Sequence, residues 1–314
     1  MISSERIFVN AVKKYCASHD IGVEIKSQGW LIVMRRGDRR RFAFGYDLGL
    51  NSAVAHRIAN DKAATAELLT IRGVACVPHT LFLSPKLYPY IKPGTAWQDM
   101  LDLLRANAAG IVVKPNEGTG GDLVFRVRSE PELERAVHAI FSSEKSLAVS
   151  PYLEIEDEVR VVLIDDLPIV VYRKERPSIT GDGKRSFLEL AVASIPTGQL
   201  STLLPVIIGD LDKAALDQVP PDGERHNLNW RHNLGAGARP MLLDQGVTRD
   251  ACVEIAREAA GSIGLRFGSV DVVRVDQSWR VLEINSGVMM EALSEAHPDL
   301  VDAVYRMALD KVFQ

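Results

Sequence analysis

The sequence predicts an α+β fold built from successive units of helices and antiparallel strands. Short apolar runs are joined by tight turns rich in glycine or aspartate, a pattern typical of paired strands. Longer stretches between them have the spacing of amphipathic helices. The 314 residues, of which 46% are hydrophobic and 25% charged, are enough for two or three compact units. We expect three segments, residues 1–80, 81–152 and 153–314.

The first segment is predicted to contain a helix, a hairpin and a second helix. A helical pattern covers Glu5–Ser18, and a second covers Lys62–Ile71. Between them, the runs Gly29–Met34 and Arg39–Phe44 flank a turn at Gly37-Asp38. Such a turn between two apolar runs predicts a β-hairpin.

The middle segment reads as helix, strand, turn, strand, helix, strand, which is a small α+β unit. Its predicted elements are Trp97–Asn107, Ile111–Lys114, the glycine-rich turn Asn116–Asp122, Leu123–Val127, Pro131–Phe141 and Leu147–Pro151.

The last segment is predicted to hold two pairs of strands and two helices. The strands Glu158–Ile164 and Pro168–Arg173 meet at Asp165-Asp166, and a polar loop runs on to Arg185. The later elements are Arg249–Ile263, the strands Gly268–Val275 and Trp279–Asn285, and a helix at Leu300–Lys311.

Composition excludes several classes of function. The formal net charge is -4 and the pI about 6.0, so no global basic surface can neutralise a nucleic-acid backbone or an anionic membrane. Cys16, Cys76 and Cys252 lack the spacing of a zinc site or a disulfide framework. The N-terminus lacks a signal-peptide pattern, and no apolar run approaches the length of a membrane span. We expect a cytoplasmic protein, with a homo-oligomer left open.

Lys114 ends an apolar strand and is followed at once by a loop that contains Gly118, Thr119, Gly120 and Gly121. A cation beside backbone N–H groups that glycines leave accessible suits a phosphate chain. The residues of this loop match neither the P-loop motif nor the dinucleotide-binding motif. An ordinary hairpin turn is the alternative interpretation.

Asp271, Glu283 and Asn285 are predicted to lie together on a hairpin. Glu283 and Asn285 stand two residues apart and share one face of a strand, because side chains alternate along a strand. Two carboxylates and an amide oxygen are ligands that suit Mg²⁺. A polar strand face without metal is the alternative, weakened by the apolar neighbours, since buried carboxylates need a compensating cation.

A third cluster combines Arg231, Asn233 and Leu234 with a glycine-containing turn, and Arg173 precedes it on a strand. A guanidinium group donates in two directions and suits phosphate or carboxylate. Either arginine alone is more often a surface residue, which is the alternative interpretation.

The order of these pieces, with Lys62 before the Lys114 loop and the carboxylate hairpin last, resembles the ATP-grasp superfamily. The similarity covers roughly residues 50 to 290 and is closest to the glutathione synthetase, cyanophycin synthetase and ribosomal-protein glutamate ligase branches. It implies two α+β subdomains that clamp ATP: a central lid at 81–152 and a C-terminal subdomain with the metal site at 153–314. A short N-terminal α/β segment precedes them.

The resemblance also implies roles for particular residues. Those matching nucleotide-binding positions are Lys62, Lys114, Gly118, Thr119, Gly120, Gly121, Tyr152, Leu153, Glu154, Glu158 and Arg160. Those matching metal ligands are Asp271, Glu283 and Asn285, and those matching catalytic positions are Arg173, Arg231 and Asn233. Ser150-Pro151 and Val288-Met289-Met290-Glu291 depart from the usual family pattern at the adenine hinge and after the metal site.

The implied function is an ATP-dependent carboxylate–amine ligase that works through an acyl phosphate and releases ADP and phosphate. Its cofactors would be ATP and Mg²⁺, or Mn²⁺ in its place, and its substrates a small carboxylate and an amine of the amino acid or peptide class. A phosphotransferase on the same fold and a non-catalytic ATP-binding protein are the alternatives. The arginine-rich hairpin Arg35–Arg41 is explained as a solvated turn or as a contact for an acidic substrate, a carrier protein or another subunit.

Overall fold

The computed structural model describes residues 6–118, 120–210 and 213–314. These residues form two compact units. One comprises the described residues up to Tyr172 together with Leu242–Gln314, and the other comprises Arg173–Met241. The three-segment division stays a prediction.

The chain begins with helix α1 (Ile7–Ser18) and a three-stranded antiparallel sheet of β1 (Gly22–Lys26), β2 (Leu31–Arg36) and β3 (Arg39–Phe44). The hairpin turn falls at Gly37-Asp38 as predicted, and Gly37 has a φ of 58°, which suits glycine at the first turn position. Strand β1 was not predicted, although its Val-Glu-Ile-Lys alternation is a strand pattern.

Two short helices follow, α2 (Ala53–Asn60) and α3 (Lys62–Ile71). The side chain of Ser52 accepts a hydrogen bond from the Ala55 amide at 3.1 Å, and Asp61 accepts one from the Ala64 amide at 2.8 Å. These caps satisfy amides that have no partner within the helix. The Asp61 cap fixes where α3 starts and therefore where Lys62 lies.

The four-stranded sheet has the order β4-β7-β5-β6. Its elements are β4 (Thr80–Leu83), α4 (Trp97–Ala106), β5 (Ile111–Pro115), β6 (Phe125–Val127), α5 (Glu130–Ser143) and β7 (Ser146–Pro151). Leu133 and Ile140 of α5 pack against the sheet in one apolar cluster. Strand β6 starts two residues later than predicted, because Leu123 has a φ of 53°, outside the range of a strand.

The five-stranded sheet has the order β12-β9-β8-β13-β14. The strands are β8 (Asp157–Ile164), β9 (Leu167–Glu175), β12 (Arg239–Leu242), β13 (Phe267–Val275) and β14 (Ser278–Asn285). Helix α9 (Val247–Ile263) covers one face through Cys252, Ala256 and Ala260. The small side chains of these residues let the helix approach the sheet closely. Helices α10 (Glu291–Ala296) and α11 (Pro298–Phe313) complete the chain.

The second unit contains β10 (Ser178–Thr180), α6 (Phe187–Ser194), α7 (Leu200–Asp210), α8 (Lys213–Leu216) and β11 (Arg225–Asn227). It has an apolar cluster that includes Phe187, Leu190 and Ile207. Sequence patterns placed no element between Arg185 and Arg249. In the described part of the chain, no single helix is long and apolar enough to cross a membrane; α6 and the next helical stretch meet that test only together, with a bend of 105°.

Candidate functional site

The four-stranded sheet directs one face into the apolar core and presents the other to charged groups. Val113 and Val149 belong to the core cluster, so their strand neighbours Val112, Lys114 and Ser150 point the opposite way. The ladder pairs Val112 with Ser150 of β7 and with Arg126 of β6. We call Val112, Lys114, Arg126 and Ser150 the site face.

Lys114 is a buried cation, with 7% of its surface exposed. Burial lowers its pKa to about 8, Glu283 and Glu158 act in the opposite direction, and Lys62 lowers it further. These four charged side chains are therefore close enough to interact although they come from β5, β14, β8 and α3. A desolvated lysine between carboxylates is typical of a site that binds an anion.

Lys62 anchors the glycine-rich loop to the start of α3. Its Nζ donates a hydrogen bond to the Gly118 carbonyl at 2.9 Å, and its backbone amide donates to the Asn116 carbonyl at 3.1 Å. The Asn116 side chain accepts from the Ala63 amide at 3.1 Å and is almost fully buried. The two predicted nucleotide lysines thus flank one loop.

The loop itself has an unusual backbone. Gly118, Gly120 and Gly121 have φ angles of 142°, 84° and 80°, in the range that favours glycine because other residues are strained there. Strands β5 and β6 are paired, so the loop is a hairpin connection, but it is far longer than the two residues of a tight turn. Thr119 lies outside the described residues.

The predicted carboxylate hairpin forms with the expected face. Asp271 of β13 stands directly opposite Glu283 of β14, and residues opposite each other in an antiparallel pair point to the same side. Asn285 lies on that side too, and its amide nitrogen donates to Glu283 Oε1 at 3.3 Å. Tertiary structure therefore brings Asp271, Glu283 and Asn285 together.

Asp271 has a partner that the sequence did not predict. Arg160 of β8 stands opposite it in the ladder, and the guanidinium donates to the two Asp271 oxygens at 2.7 and 2.6 Å. Burial opposes the Arg160 charge, but Asp271 raises the Arg160 pKa well above its usual range. The fully buried carboxylate is thus compensated by this arginine, and not by a metal alone as the sequence suggested.

The oxygen donors on this face still fit a hard divalent cation. Glu283 keeps one carboxylate oxygen beyond the one that accepts from Asn285, and the Asn285 amide oxygen lies beside it. Mg²⁺ uses one or two carboxylates and completes its shell with water and phosphate oxygens. Within the described ranges, no group of three or more His, Cys, Asp or Glu residues suits a metal. A metal at this position would therefore combine carboxylate and amide oxygens with oxygens of water or phosphate.

The predicted hinge lies at the end of β7. The Tyr152 hydroxyl donates to Glu154 at 3.0 Å, and the Tyr152 amide donates to the Gly110 carbonyl at 3.0 Å. The guanidinium of Arg126 lies 3.3 Å from the centre of the Tyr152 ring, a cation–π contact. Leu153 packs against the apolar cluster around Val77. The hinge is thus held to the site face by Arg126, which sequence reasoning had not selected.

His79 was also missed. It is 6% exposed, its Nδ1 lies 2.9 Å from the Val77 carbonyl, and its Nε2 has no hydrogen-bond partner among the described residues. Burial, Lys114 and Lys62 lower its pKa well below 6.5, so the neutral ring presents an open acceptor beside two lysines. A single histidine after Pro78 carries no sequence pattern that would reveal this.

Three predicted catalytic residues, Arg173, Arg231 and Asn233, belong to the second unit. The Asn233 side chain accepts from the Gly235 amide at 2.8 Å and caps a single helical turn. The Arg231 amide donates to Asn229 at 2.8 Å, and its guanidinium lies 5.6 Å from the Trp230 ring. Their catalytic roles stay predictions.

Comparison with known proteins supports the motif-based expectation. No protein-family profile matches the chain. The chain is 25% identical over 258 residues to a protein of Stutzerimonas stutzeri described as a probable alpha-L-glutamate ligase, a match that covers 82% of this chain and 65% of that protein. The chain therefore spans somewhat less than two thirds of the relative's length.

Two solved structures share the architecture. The D-alanine–D-alanine ligase of Bacillus anthracis superposes with a TM-score of 0.53 at 15% identity, covering 84% of this chain and 69% of that one. A bifunctional glutathione synthetase of Pasteurella multocida gives 0.51 at 18% identity, covering 91% of this chain and 41% of that one. Both are ATP-grasp ligases. The predicted α+β class is confirmed, and the chain has the ATP-grasp fold.

Proposed function

We propose that this protein is an ATP-dependent ligase that joins a carboxylate to an amine and releases ADP and phosphate. The observation that carries the proposal is Lys114, a buried cation that interacts electrostatically with Lys62, Glu158 and Glu283, on a fold shared with such ligases. A buried lysine with a lowered pKa is costly for the fold, which argues for a function at this position.

ATP would bind against the site face. Lys114 and Lys62 would contact the phosphates, and the glycine backbone from Gly118 to Gly121 would approach them closely because it lacks side chains. Tyr152 to Glu154 would border the base at the hinge. The loop that Lys62 now holds would close over the phosphates and exclude water, which protects a reactive acyl phosphate.

The proposed reaction begins when the substrate carboxylate attacks the γ-phosphorus and displaces ADP. The amine then attacks the acyl carbon, phosphate leaves, and the amine loses a proton. Lys114 and Arg160 would spread the charge of the transferring phosphoryl group, so catalysis is mainly positioning and electrostatics. Asp271 holds the Arg160 guanidinium in a fixed direction through two hydrogen bonds.

Glu283 and Asn285, with Asp271 beside them, would hold Mg²⁺, which supplies charge neutralisation for the phosphates. The donors face the same side as Arg160, since Asp271 pairs with both β8 and β14 in register. Arg173, Arg231 and Asn233 are proposed, from the family resemblance, to act on substrate or phosphate.

The proposed substrates are amino acids or peptides. The name of the Stutzerimonas relative, a probable alpha-L-glutamate ligase, supports glutamate as the first compound to test. After the metal donors, the chain continues with Val288-Met289-Met290-Glu291, which departs from the usual family pattern. The acceptor site of this protein would therefore differ from that of other family members.

An ADP-release screen over pairs of amino acids and small carboxylates, with mass spectrometry of the products, tests the proposal. We expect ADP, phosphate and an amide in equal amounts, all lost in Lys114→Met and retained in the exposed control Lys145→Met. A phosphoester with ADP would instead establish a phosphotransferase. Nucleotide binding without any product over the whole screen would contradict the ligase proposal.

A further inference from the structure

The hairpin of β2 and β3 carries a concentration of positive charge that the proposed reaction does not use. Arg35, Arg36, Arg39, Arg40 and Arg41 lie within seven residues, with Asp38 as the only acid among them. All five arginines are exposed. The chain as a whole has a net charge of -4, whereas this hairpin is strongly positive.

Most of these arginines have no counterion. Within the described part of the chain, Arg35, Arg36, Arg39 and Arg40 form no ion pair. Arg41 differs, because its guanidinium donates to the Val312 carbonyl at 3.0 Å and so caps the end of α11. Four unpaired guanidinium groups on a rigid hairpin leave a strong positive field for a ligand.

Aromatic side chains lie on the same surface. The ladder pairs Arg35 with Arg40, Val33 with Phe42 and Leu31 with Phe44, so Arg40, Phe42 and Phe44 share one face. Phe42 is 56% exposed and Phe44 65%. Trp30 lies 6.3 Å from Phe44 between ring centres and is 51% exposed. Arginine next to exposed aromatic rings is the composition of a binding surface.

The backbone of β3 is open in part. The sheet order is β1-β2-β3, so within the described residues the outer edge of β3 has no neighbouring strand. The Phe44 backbone is paired with Asp47, and the Arg40 carbonyl accepts a hydrogen bond from Arg41. Arg36 and Arg39 flank the two-residue turn and are hydrogen-bonded to each other, and the alternation of an antiparallel ladder then points the amides of Arg40 and Phe42 outward. Charged residues often protect such an edge from association, but a protected edge would not expose two phenylalanines.

We propose that the β3 edge and its arginines are a docking site for an extended acidic peptide segment. The peptide would add a strand to β3, as in β-strand addition, with its carboxylates on the arginines and its apolar side chains on Phe42 and Phe44. The added strand would use the outward amides of Arg40 and Phe42. The side chains along β3, which is six residues long or roughly 20 Å, would contact more of the peptide than one small anion offers. A cavity of about 340 Å³ beside the turn, lined by Arg36, Asp38, Arg39, Arg41 and Phe313, would take one further carboxylate.

Fluorescence anisotropy with a labelled peptide that carries glutamates in one half and valines in the other, and is long enough to span β3, tests this proposal. We expect binding by the full-length protein that weakens with salt and is lost when glutamine replaces glutamate in the peptide. The double variant Arg35→Gln/Arg40→Gln should raise Kd at least about fivefold. The matched control Arg135→Gln/Arg257→Gln removes the same charge from exposed helix positions and should leave Kd within about twofold.

Two further variants separate the contribution of the aromatic contact from that of the backbone hydrogen bonds. Phe42→Thr keeps a residue suited to a strand and removes the ring, and should also weaken binding about fivefold. Arg40→Pro should weaken binding more than Arg40→Gln, because proline removes an outward amide that only an added strand would use.

Equal weakening by the control pair, or Arg40→Pro no worse than Arg40→Gln, would overturn the proposal. Concentration-dependent dimers that Phe42→Thr abolishes would assign the surface to a second copy of the chain, and tighter binding of a single-stranded oligonucleotide than of the peptide would assign it to nucleic acid. Both results overturn the acidic peptide. None of these readouts involves ATP, so their failure is distinct from failure of the ligase proposal.

Discussion

Two groups of cations in this molecule have opposite environments. Lys114 and Arg160 are held inside the fold, where carboxylates of other strands face them. The hairpin arginines from Arg35 to Arg41 are exposed, and most form no ion pair with the residues that the structure describes. A buried charge is fixed in direction and interacts strongly because water is excluded, whereas an exposed charge attracts ligands over a distance but contributes little to stability.

The same residue types therefore have different energetic costs and different uses in the two regions. In the buried site, changing one charge alters both the chemistry and the balance of neighbouring charges. On the hairpin, it should alter only binding. A substitution at one of these charges therefore tests on which side of this division the residue lies.

Glu283→Gln should have the largest effect on activity. It removes a carboxylate that faces Lys114 and is proposed to hold Mg²⁺, so turnover should fall about 100-fold or more. The melting temperature should fall by only about 2 °C, because Glu283 favours the charge of Lys114 but Asp271 forms the two hydrogen bonds to Arg160. Steady-state ADP release and thermal unfolding measure both quantities. A variant that unfolds several degrees lower but keeps most of its activity would mark Glu283 as structural.

Asp271→Asn should reduce stability more than Glu283→Gln does. It leaves the Arg160 guanidinium without its carboxylate in a site with little water, so the free energy of unfolding should fall by about 3 kcal/mol. Urea unfolding of this variant beside Glu283→Gln makes the comparison directly. Equal stabilities of the two variants would show that the Arg160 to Asp271 pair does not compensate a buried charge.

Lys114→Met should abolish nucleotide binding, measured by calorimetry, while raising the stability of the protein without nucleotide. The pKa of Lys114 is lowered from 10.5 to about 8, so its charge costs the fold up to about 3 kcal/mol below pH 8. That cost is relieved as pH rises from 8 to 10.5, so the advantage of the variant should disappear over this range. The exposed Lys145→Met should show neither effect.

His79→Asn should change how stability depends on pH. Because burial and two lysines lower the His79 pKa well below 6.5, the unfolded chain binds a proton more readily. His79 therefore favours the folded state fully above pH 6.5, and this contribution is lost as pH falls, by about 1 kcal/mol per pH unit. Urea unfolding between pH 7 and 5 should show a smaller loss in the variant, while exposed His138→Asn should follow the wild type.

Arg40→Gln should have the smallest effect. The side chain is exposed and forms no ion pair within the described residues, so we expect less than about 0.5 kcal/mol in the free energy of unfolding and unchanged ADP release. A clear loss of activity would contradict the division between the two regions, since it would connect the hairpin to the reaction.

Local sequence patterns predicted several features of the strands, loops and turns. The alternation around Asp271, Glu283 and Asn285 predicted a shared face because a strand has a fixed period of two, and the glycines after Lys114 predicted a loop with an unusual backbone because few other residues adopt it. The turn at Gly37-Asp38 was predicted for the same local reason. The motif order along the chain predicted the ATP-grasp fold.

Only the tertiary structure decided which charges meet. Arg160 faces Asp271 because β8 and β13 pair in a particular register, and His79 has its low pKa because two lysines from other elements lie near it. Sequence spacing carries no information on such partners, since sheet order and register join residues far apart in the chain. The sequence by itself determined the chemical groups and their local directions, whereas burial and pairing, which set their charge states, depend on long-range packing.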